Sequence, residues 1–327
     1  MSDEAVEAFL RDSGLAAQPE SEELELVRGL LGDVLALVQS SHDVGDLRVA
    51  STAMRELLDA ARVFSPWRQR PKLTVFGSAR TPRSSPHYEM ARELSARMAR
   101  RGWMTVSGAG PGIMQAAAEG AGLSETLGVN IELPFEQSSN QYVDAESRLV
   151  EMKYFFTRKV ALTKESLAFA FFPGGLGTLD EVFEILTLLH TGKGGPAPVA
   201  LVDVPGGTYW ESWWRFIQES VIDANYVEAD AAHLVRVCHS LDDVEDELER
   251  FYRNYVAFEH SNGRGKLDLR RAVTPEDLVV LRARVPELAG GAESSGDGSS
   301  ITFDFDGRRY VELRRLIDAV NNLGTNE

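Results

Sequence analysis

The sequence predicts an α/β protein built on a Rossmann-like, doubly wound parallel sheet, and three observations carry that expectation. From "KLTVFGSAR" onward, short apolar runs of strand length alternate with amphipathic stretches of helix length. Three junctions where a run ends and a helix begins are rich in small residues: "FGSAR" at 76–80, "SGAGPG" at 107–112 and "PGGLGT" at 173–178. Composition is globular, with 43% apolar residues and one cysteine, Cys238, so neither an internal disulfide nor a cysteine-cluster zinc site is available.

In chain order, residues 22–64 carry two helical patterns, 24–38 and 47–64, and form a helical preface. "SPWRQRP" at 65–71 supplies two prolines and exposed charge, the marks of a boundary. The alternation that follows predicts strands at 72–76, 103–107, 127–132, 167–172, 198–203 and 234–238. Helices are expected at 86–101, 112–121, 155–165, 179–190, 209–220 and 242–257. The pattern is clearest around 167–189, where a run rich in Phe and Ala precedes Leu179, Val182, Phe183, Leu186 and Leu189 at helical spacing. Beyond it, 266–285 reads as a strand and a helix, "ELAGGAESSGDGSS" at 287–300 as a mobile loop, "ITFDFDG" as a strand and "YVELRRLIDAVNN" as a helix. The expected organisation is a helical extension over 1–70, a Rossmann-like domain over 71–257 and an appended α+β subdomain over 258–327.

Charge removes one class of partner. With 34 basic against 50 acidic side chains and a net charge of −16, an extended surface for duplex nucleic acid is not expected, since phosphate repulsion would go unopposed. The acidic N-terminus lacks the pattern of a secretory signal, and no apolar run approaches the ~18 residues of a membrane span. A cytoplasmic protein without membrane contact is the simplest expectation. His42, His87, His190, His233, His239 and His260 show no metal-ligand spacing, so no metal site is expected. Trp210, Trp213 and Trp214 lie at helical spacing that suits a core face or a subunit contact.

The glycines pose the functional question. In open parallel sheets, ligands gather outside the carboxyl ends of the strands, and glycine permits positive φ and close backbone approach, so that N–H groups can converge on an anion at a helix N-terminus. Ser78, Gly108, Gly110 and the "PGGLGT" loop are therefore candidate phosphate contacts, with tight-turn packing as the plainer alternative. No Walker A string is present, and the dinucleotide fingerprint fails at Ile113 and Gln115. Glu181 has two readings. With Thr178 as N-cap it falls at N3, completing a capping box, and it would also stand in the first helical turn beside the phosphate loop, where helix polarity favours the ionised carboxylate.

"PGGLGTLDE" resembles the Pro-Gly-Gly-x-Gly-Thr-x-x-Glu signature of the LOG (Lonely Guy) family of nucleoside 5′-monophosphate phosphoribohydrolases, many of which carry the older label lysine decarboxylase. "KYFFTRKVALTKESLAFAFF" precedes it at the family's usual distance, and "SGAGPGIMQAAAEGA" resembles the family's other glycine-rich segment. The resemblance covers about 71–257, and the longer form with appended ends is similar to known bacterial members. It implies catalytic roles for Arg158 and Glu181, and substrate contacts at Lys159, Gly174, Gly175, Leu176, Gly177, Thr178, Leu179, Asp180 and Thr187. Asn140 stands in for an upstream family glutamate, and no histidine precedes the arginine as it does in plant enzymes. The implied activity is hydrolysis of AMP or a cytokinin riboside 5′-monophosphate to free base and ribose 5-phosphate, without cofactor, in a homodimer or larger symmetric assembly. A non-catalytic nucleotide or molybdenum-cofactor carrier is the alternative.

The residues suit that chemistry. N-glycoside hydrolysis builds oxocarbenium character on the ribose, which a nearby carboxylate stabilises. An arginine stays protonated at neutral pH and can pair with the carboxylate or hold phosphate. A pyridoxal-phosphate decarboxylase would need a Schiff-base lysine, and no local motif marks Lys159 or Lys164 as one.

Overall fold

The alternating segments form one sheet of seven strands in which every ladder is parallel. The structure, a computed structural model, describes residues 2–13, 21–40, 43–133 and 139–324. The helical preface comprises α1 (Ser2–Asp12), α2 (Glu22–Ser40) and α3 (Val44–Phe64). The sheet consists of β1 (Lys72–Phe76), β2 (Met104–Ser107), β3 (Thr126–Ile131), β4 (Leu149–Met152), β5 (Ala168–Phe171), β6 (Val199–Val202) and β7 (Arg236–Cys238). Its spatial order is β4-β3-β2-β1-β5-β6-β7. The chain thus builds outward from β1 to β4, returns to the other side of β1, and builds outward again.

β1, β2, β3, β5 and β6 are buried at every position, as a sheet covered on both faces requires. One face packs Leu73, Val75 and Ala170 against α4 (Pro86–Arg100), α5 (Ile113–Ala121) and α9 (Leu241–Phe251). The other packs Val106, Val129, Phe169 and Phe171 against α6 (Phe155–Lys164), α7 (Leu176–Thr191), α8 (Tyr209–Ile217) and the end of α3. Trp210 and Trp213 belong to this second core, so α8 spends its indoles inside the domain. β4 has no counterpart among the sequence-predicted strands. It is four residues long, with exposed Glu151, and a short charged edge strand gives little periodic signal.

At the end of α9 and again at 287–300 the chain departs from the expected elements, while the strand and helix expected within 266–285, the "ITFDFDG" strand and the final helix are present. The helix anticipated over 242–257 ends at Phe251, and β8 (Tyr255–Ser261) opens an antiparallel sheet with β9 (Arg264–Leu269), β10 (Glu293–Ser294) and β11 (Ser300–Asp304) in the order β10-β11-β9-β8. Asn321 fixes the turn: its Oδ1 accepts from the N–H groups of Asn254 (2.7 Å) and Tyr255 (2.8 Å), and its Nδ2 donates to the Phe251 carbonyl. The stretch at 287–300 is folded rather than loose. Ala289 and Ala292 are buried beside α11 (Pro286–Ala289), and Asp297 accepts from Ser295 and Ser299. The small residues that suggest a loop are the ones that allow this tight packing.

Helices α10 (Pro275–Arg284) and α12 (Tyr310–Asn321) complete the appended part. A buried ionic cluster ties α12 to α9. Glu247 accepts from Arg314 at 2.6 Å and from Arg250, with Arg236 of β7 at 3.4 Å, while Arg314 also bonds Asp318 at 3.1 Å.

By Cα packing the chain divides into Met1–Leu58 and Asp59–Glu327. In the first unit α1 and α2 meet through Val6, Leu10 and Leu24, and Arg28 Nε lies 3.0 Å from Glu7 Oε1. α2 leaves Leu26, Leu30, Val34 and Val38 exposed at four-residue spacing.

Asn321→Ala would strip two buried N–H groups of their acceptor, at a cost of about 1–3 kcal/mol for each group left unsatisfied. A loss of ~3 kcal/mol or more in urea unfolding is the expected outcome, and a loss under ~1 kcal/mol would show that the turn holds without it.

Candidate active site

Reversal of strand order between β1 and β5 opens a crevice at the carboxyl ends of the strands. Three loops converge on it, held together by backbone hydrogen bonds. The Ser78 N–H donates to the Pro173 carbonyl (3.2 Å), and the Ser78 carbonyl accepts from Ile113 N–H (3.1 Å). The "FGSAR" loop thus staples the "SGAGPG" and "PGGLGT" loops to itself. Between them lies a cleft of about 620 Å³.

Helix α7 begins earlier than its apolar spacing suggests. Gly175 is the N-cap and Leu176 the first helical residue, so Thr178 is N3 and Glu181 lies in the second turn. The capping box expected of Thr178 and Glu181 is therefore not formed, and no side chain caps this helix. Neither do the "PGGLGT" glycines take positive φ, unlike Gly112 at φ 66; Gly175 is extended at φ −88. They serve closeness and clearance instead. A Cβ on Gly174 would lie 2.0 Å from Thr178 Oγ1, whereas Cβ atoms on Gly175 and Gly177 would meet no protein atom within 4 Å. Those two glycines line the cleft, beside exposed Leu176 (87%). An uncapped helix N-terminus facing open space is a standing anion site.

Arg158 reaches the cleft from α6. Its Nε donates to the Val129 carbonyl of β3 (3.0 Å), and its Nη2 lies 3.5 Å from the Gly108 carbonyl. A Cβ on Gly108 would fall 2.1 Å from that Nη2, so glycine is required there to admit the guanidinium. Burial pulls the Arg158 pKa down and the charge of Glu181 pulls it up, with a net lowering. Glu181 is buried, and its Oε2 accepts no hydrogen bond among the described residues. Burial raises its pKa, opposed by the charges of Lys159 and Arg158. The direction is opposite to the one that helix polarity suggests, because a second-turn carboxylate has lost both the dipole's end and its water.

Lys159, the next residue on α6, turns toward α7. Its Nζ lies 3.0 Å from Asp180, 3.6 Å from Glu181 and 3.4 Å from Glu184. Burial works against the ammonium, but the bond to Asp180 and the charges of Glu181 and Glu184 outweigh it and raise its pKa.

The cleft brings together Ser78, Gly108, Arg158, Gly175, Leu176, Gly177, Thr178, Asp180 and Glu181. Other candidates lie outside its lining. Gly174 gives its carbonyl to Tyr209. Leu179 packs against the core. Thr187 is exposed, more than a turn beyond Glu181 on α7. Asn140 donates its amide to the Gly110 carbonyl (3.0 Å) and accepts from Tyr142 N–H (3.1 Å), so both residues maintain the loop's shape. Sequence reasoning missed Asn130 and Ile131 at the end of β3, Met114, Phe155 and exposed Arg80, all of which line the cleft. Arg80 belongs to the quoted "FGSAR" stretch, while Asn130 carries no signal beyond its place at a strand end. Among the described residues no group of three or more His, Cys, Asp or Glu side chains could hold a metal, and no helix is long and apolar enough to cross a membrane.

Fold and cleft together define a doubly wound α/β protein with its site at the strand-order switch. A family model described as "Possible lysine decarboxylase" matches residues 112–248. The cytokinin riboside 5′-monophosphate phosphoribohydrolase of Mycobacterium tuberculosis is 31% identical over 52% of this chain and 88% of its own. That of Mycobacterium marinum is 30% identical over 47% and 81%. One from Arabidopsis thaliana matches at 33% over 29% of this chain and 42% of its own. Among solved structures, a molybdenum cofactor carrier protein from Chlamydomonas reinhardtii aligns with 56% of this chain and 98% of its own at 22% identity and a TM-score of 0.40. The chain belongs to the LOG family of phosphoribohydrolase-like proteins.

Two measurements follow from this geometry. Gly175→Ala and Gly177→Ala meet no protein atom, so each should melt within about 2 °C of wild type, a change of under ~0.5 kcal/mol, while losing affinity for inorganic phosphate; unchanged affinity would leave the loop a packing device. Glu181 has a folded pKa above its unfolded one, so its ionisation does not weigh against the fold below the unfolded pKa, begins to as pH rises past it, and does so fully above the folded pKa. Glu181→Gln should accordingly raise the melting temperature near pH ~7 and leave it unchanged near pH ~4; a lower melting temperature at neutral pH would contradict the assigned direction.

Proposed function

We propose that the protein hydrolyses the N-glycosidic bond of a nucleoside 5′-monophosphate, AMP or a cytokinin riboside 5′-monophosphate, releasing free base and ribose 5-phosphate. One observation carries the reading: an open, glycine-lined helix N-terminus shares a cleft with a buried glutamate that has no hydrogen bond on one oxygen and with an arginine. The 5′-phosphate sits at the N-terminus of α7. This places the ribose over the second turn, toward Glu181. As the base departs, positive charge grows on the sugar, and the Glu181 carboxylate stabilises it in a site where little water screens the interaction. Glu181 also orients the attacking water. Lys159 and then Arg158 oppose the rise that burial imposes on the Glu181 pKa, and Arg158 stays protonated and offers its remaining N–H groups to the substrate. The activity for which the two mycobacterial relatives are named supports the same reaction.

We assign the working form to a homodimer, because Phe156 and Val160 of α6 and Phe183 of α7 are exposed apolar side chains on the two helices that carry Arg158 and Glu181. Light scattering at micromolar concentration should give twice the chain mass; a monomer would remove the assignment.

The decisive experiment is a screen of nucleoside monophosphates for released base, without added metal or cofactor. AMP or a modified adenine monophosphate is expected to be cleaved, and Glu181→Gln to lower turnover by ~10²-fold or more with a smaller effect on affinity. Tight binding with no base released from any monophosphate would assign the cleft to carriage instead.

A further inference from the structure

The phosphate-facing loop is held from behind by a residue that never touches the cleft. Between β5 and α7 the backbone of 172–175 belongs to no helix or strand. Beyond the Phe172 N–H on the Phe76 carbonyl (2.9 Å), its first polar anchor is the Ser78 N–H on the Pro173 carbonyl. The second comes from the opposite side: Tyr209 Oη donates to the Gly174 carbonyl at 2.7 Å. Tyr209 does not line the cleft; it borders a separate hollow of about 760 Å³ with Pro173, His87 and Asp203.

A planar trans peptide points its carbonyl and its N–H in opposite directions. The Gly174 carbonyl and the Gly175 N–H are the two ends of one such unit, and no peptide bond here is cis. Pulling the carbonyl toward Tyr209 therefore turns the Gly175 N–H the other way, and Gly175 is a cleft residue. Because glycine stands on both sides of this peptide, the unit could rotate at small conformational cost without an anchor. The phenol is itself fixed. Buried Asp203 accepts from Tyr209 N–H (3.0 Å), Val204 N–H (2.8 Å) and His87 Nε2 (2.8 Å), which sets the start of α8. The ring lies edge-on to Trp210, whose Nε1 donates to the Val202 carbonyl at 3.1 Å.

We infer that Tyr209 is a positioning residue for phosphate recognition, aiming the Gly175 N–H into the cleft by holding the Gly174 carbonyl away from it. The inference rests on the cleft's reading as a nucleoside monophosphate site and specifies which part of the ligand Tyr209 governs. Since the phosphate anchor acts alike on bound substrate and transition state, its loss is a loss of uniform binding.

The test is Tyr209→Phe, which keeps the ring against Trp210 and removes the hydroxyl. Calorimetry on the full chain measures Kd for ribose 5-phosphate, AMP and adenosine, alongside kcat and KM for AMP. The expected result is a rise of about tenfold in Kd for both phosphate-bearing ligands and in KM, the scale of one lost hydrogen bond. kcat should stay within about twofold and adenosine binding should not change. Ribose 5-phosphate binding unchanged within about twofold would overturn the inference and make the bond a support of the fold. Equal loss for adenosine would overturn it too, by showing a general distortion of the cleft. A wild-type protein that binds ribose 5-phosphate but cleaves no monophosphate would sink the proposed hydrolysis while leaving the binding comparison to decide Tyr209. A wild-type protein that binds neither phosphate ligand would sink both.

Discussion

The return of the chain from β4 to the far side of β1 is the constraint on which the rest depends. It sends the helices after β1 and β5 to opposite faces, so the loops above these strands diverge and a crevice is left between them. The loops are not free to fill that crevice, because Ser78 joins both neighbours through its backbone. A backbone staple uses groups that every residue carries, so its strength depends on loop path rather than on side-chain identity.

Within the crevice the protein gives up local stability in two places. The first turn of α7 has no side-chain cap, and Glu181 is buried with one oxygen that accepts no hydrogen bond and meets only the Lys159 ammonium, at 3.6 Å. A side-chain cap would make the start of the helix more stable. The core supporting α7 lies elsewhere, in Val182, Ile185 and Leu189 on the face turned toward the sheet. Lys159 adds a second restraint through Asp180 and Glu184, so the helix can tolerate a poor start.

The sheet was legible in the sequence because buried parallel strands read as unbroken apolar runs and their helices as amphipathic stretches. β4 was not, since its pairing rather than its composition makes it a strand. The end of α9 was hidden for a related reason: Asn254 and Tyr255 leave the helix to meet Asn321, a partner distant in sequence. At the site, glycine spacing located the loop and the helix, yet the same spacing suggested Thr178 as N-cap, three residues late. Asn140 shows the limit of substitution by residue type. Its amide belongs to Gly110 and Tyr142, a use visible only once the loop is folded.

The cluster around Glu247 has a bearing on how this chain could be shortened. Glu247 is almost wholly buried, and of its three arginines only Arg314 is comparably enclosed; Arg236 and Arg250 remain 40% and 33% exposed. A chain ending after α9 would face solvent along the α12 footprint and hold a carboxylate whose enclosed counter-charge had gone. The appended part is in this sense bound to the parallel-sheet domain by a buried ion pair as well as by packing.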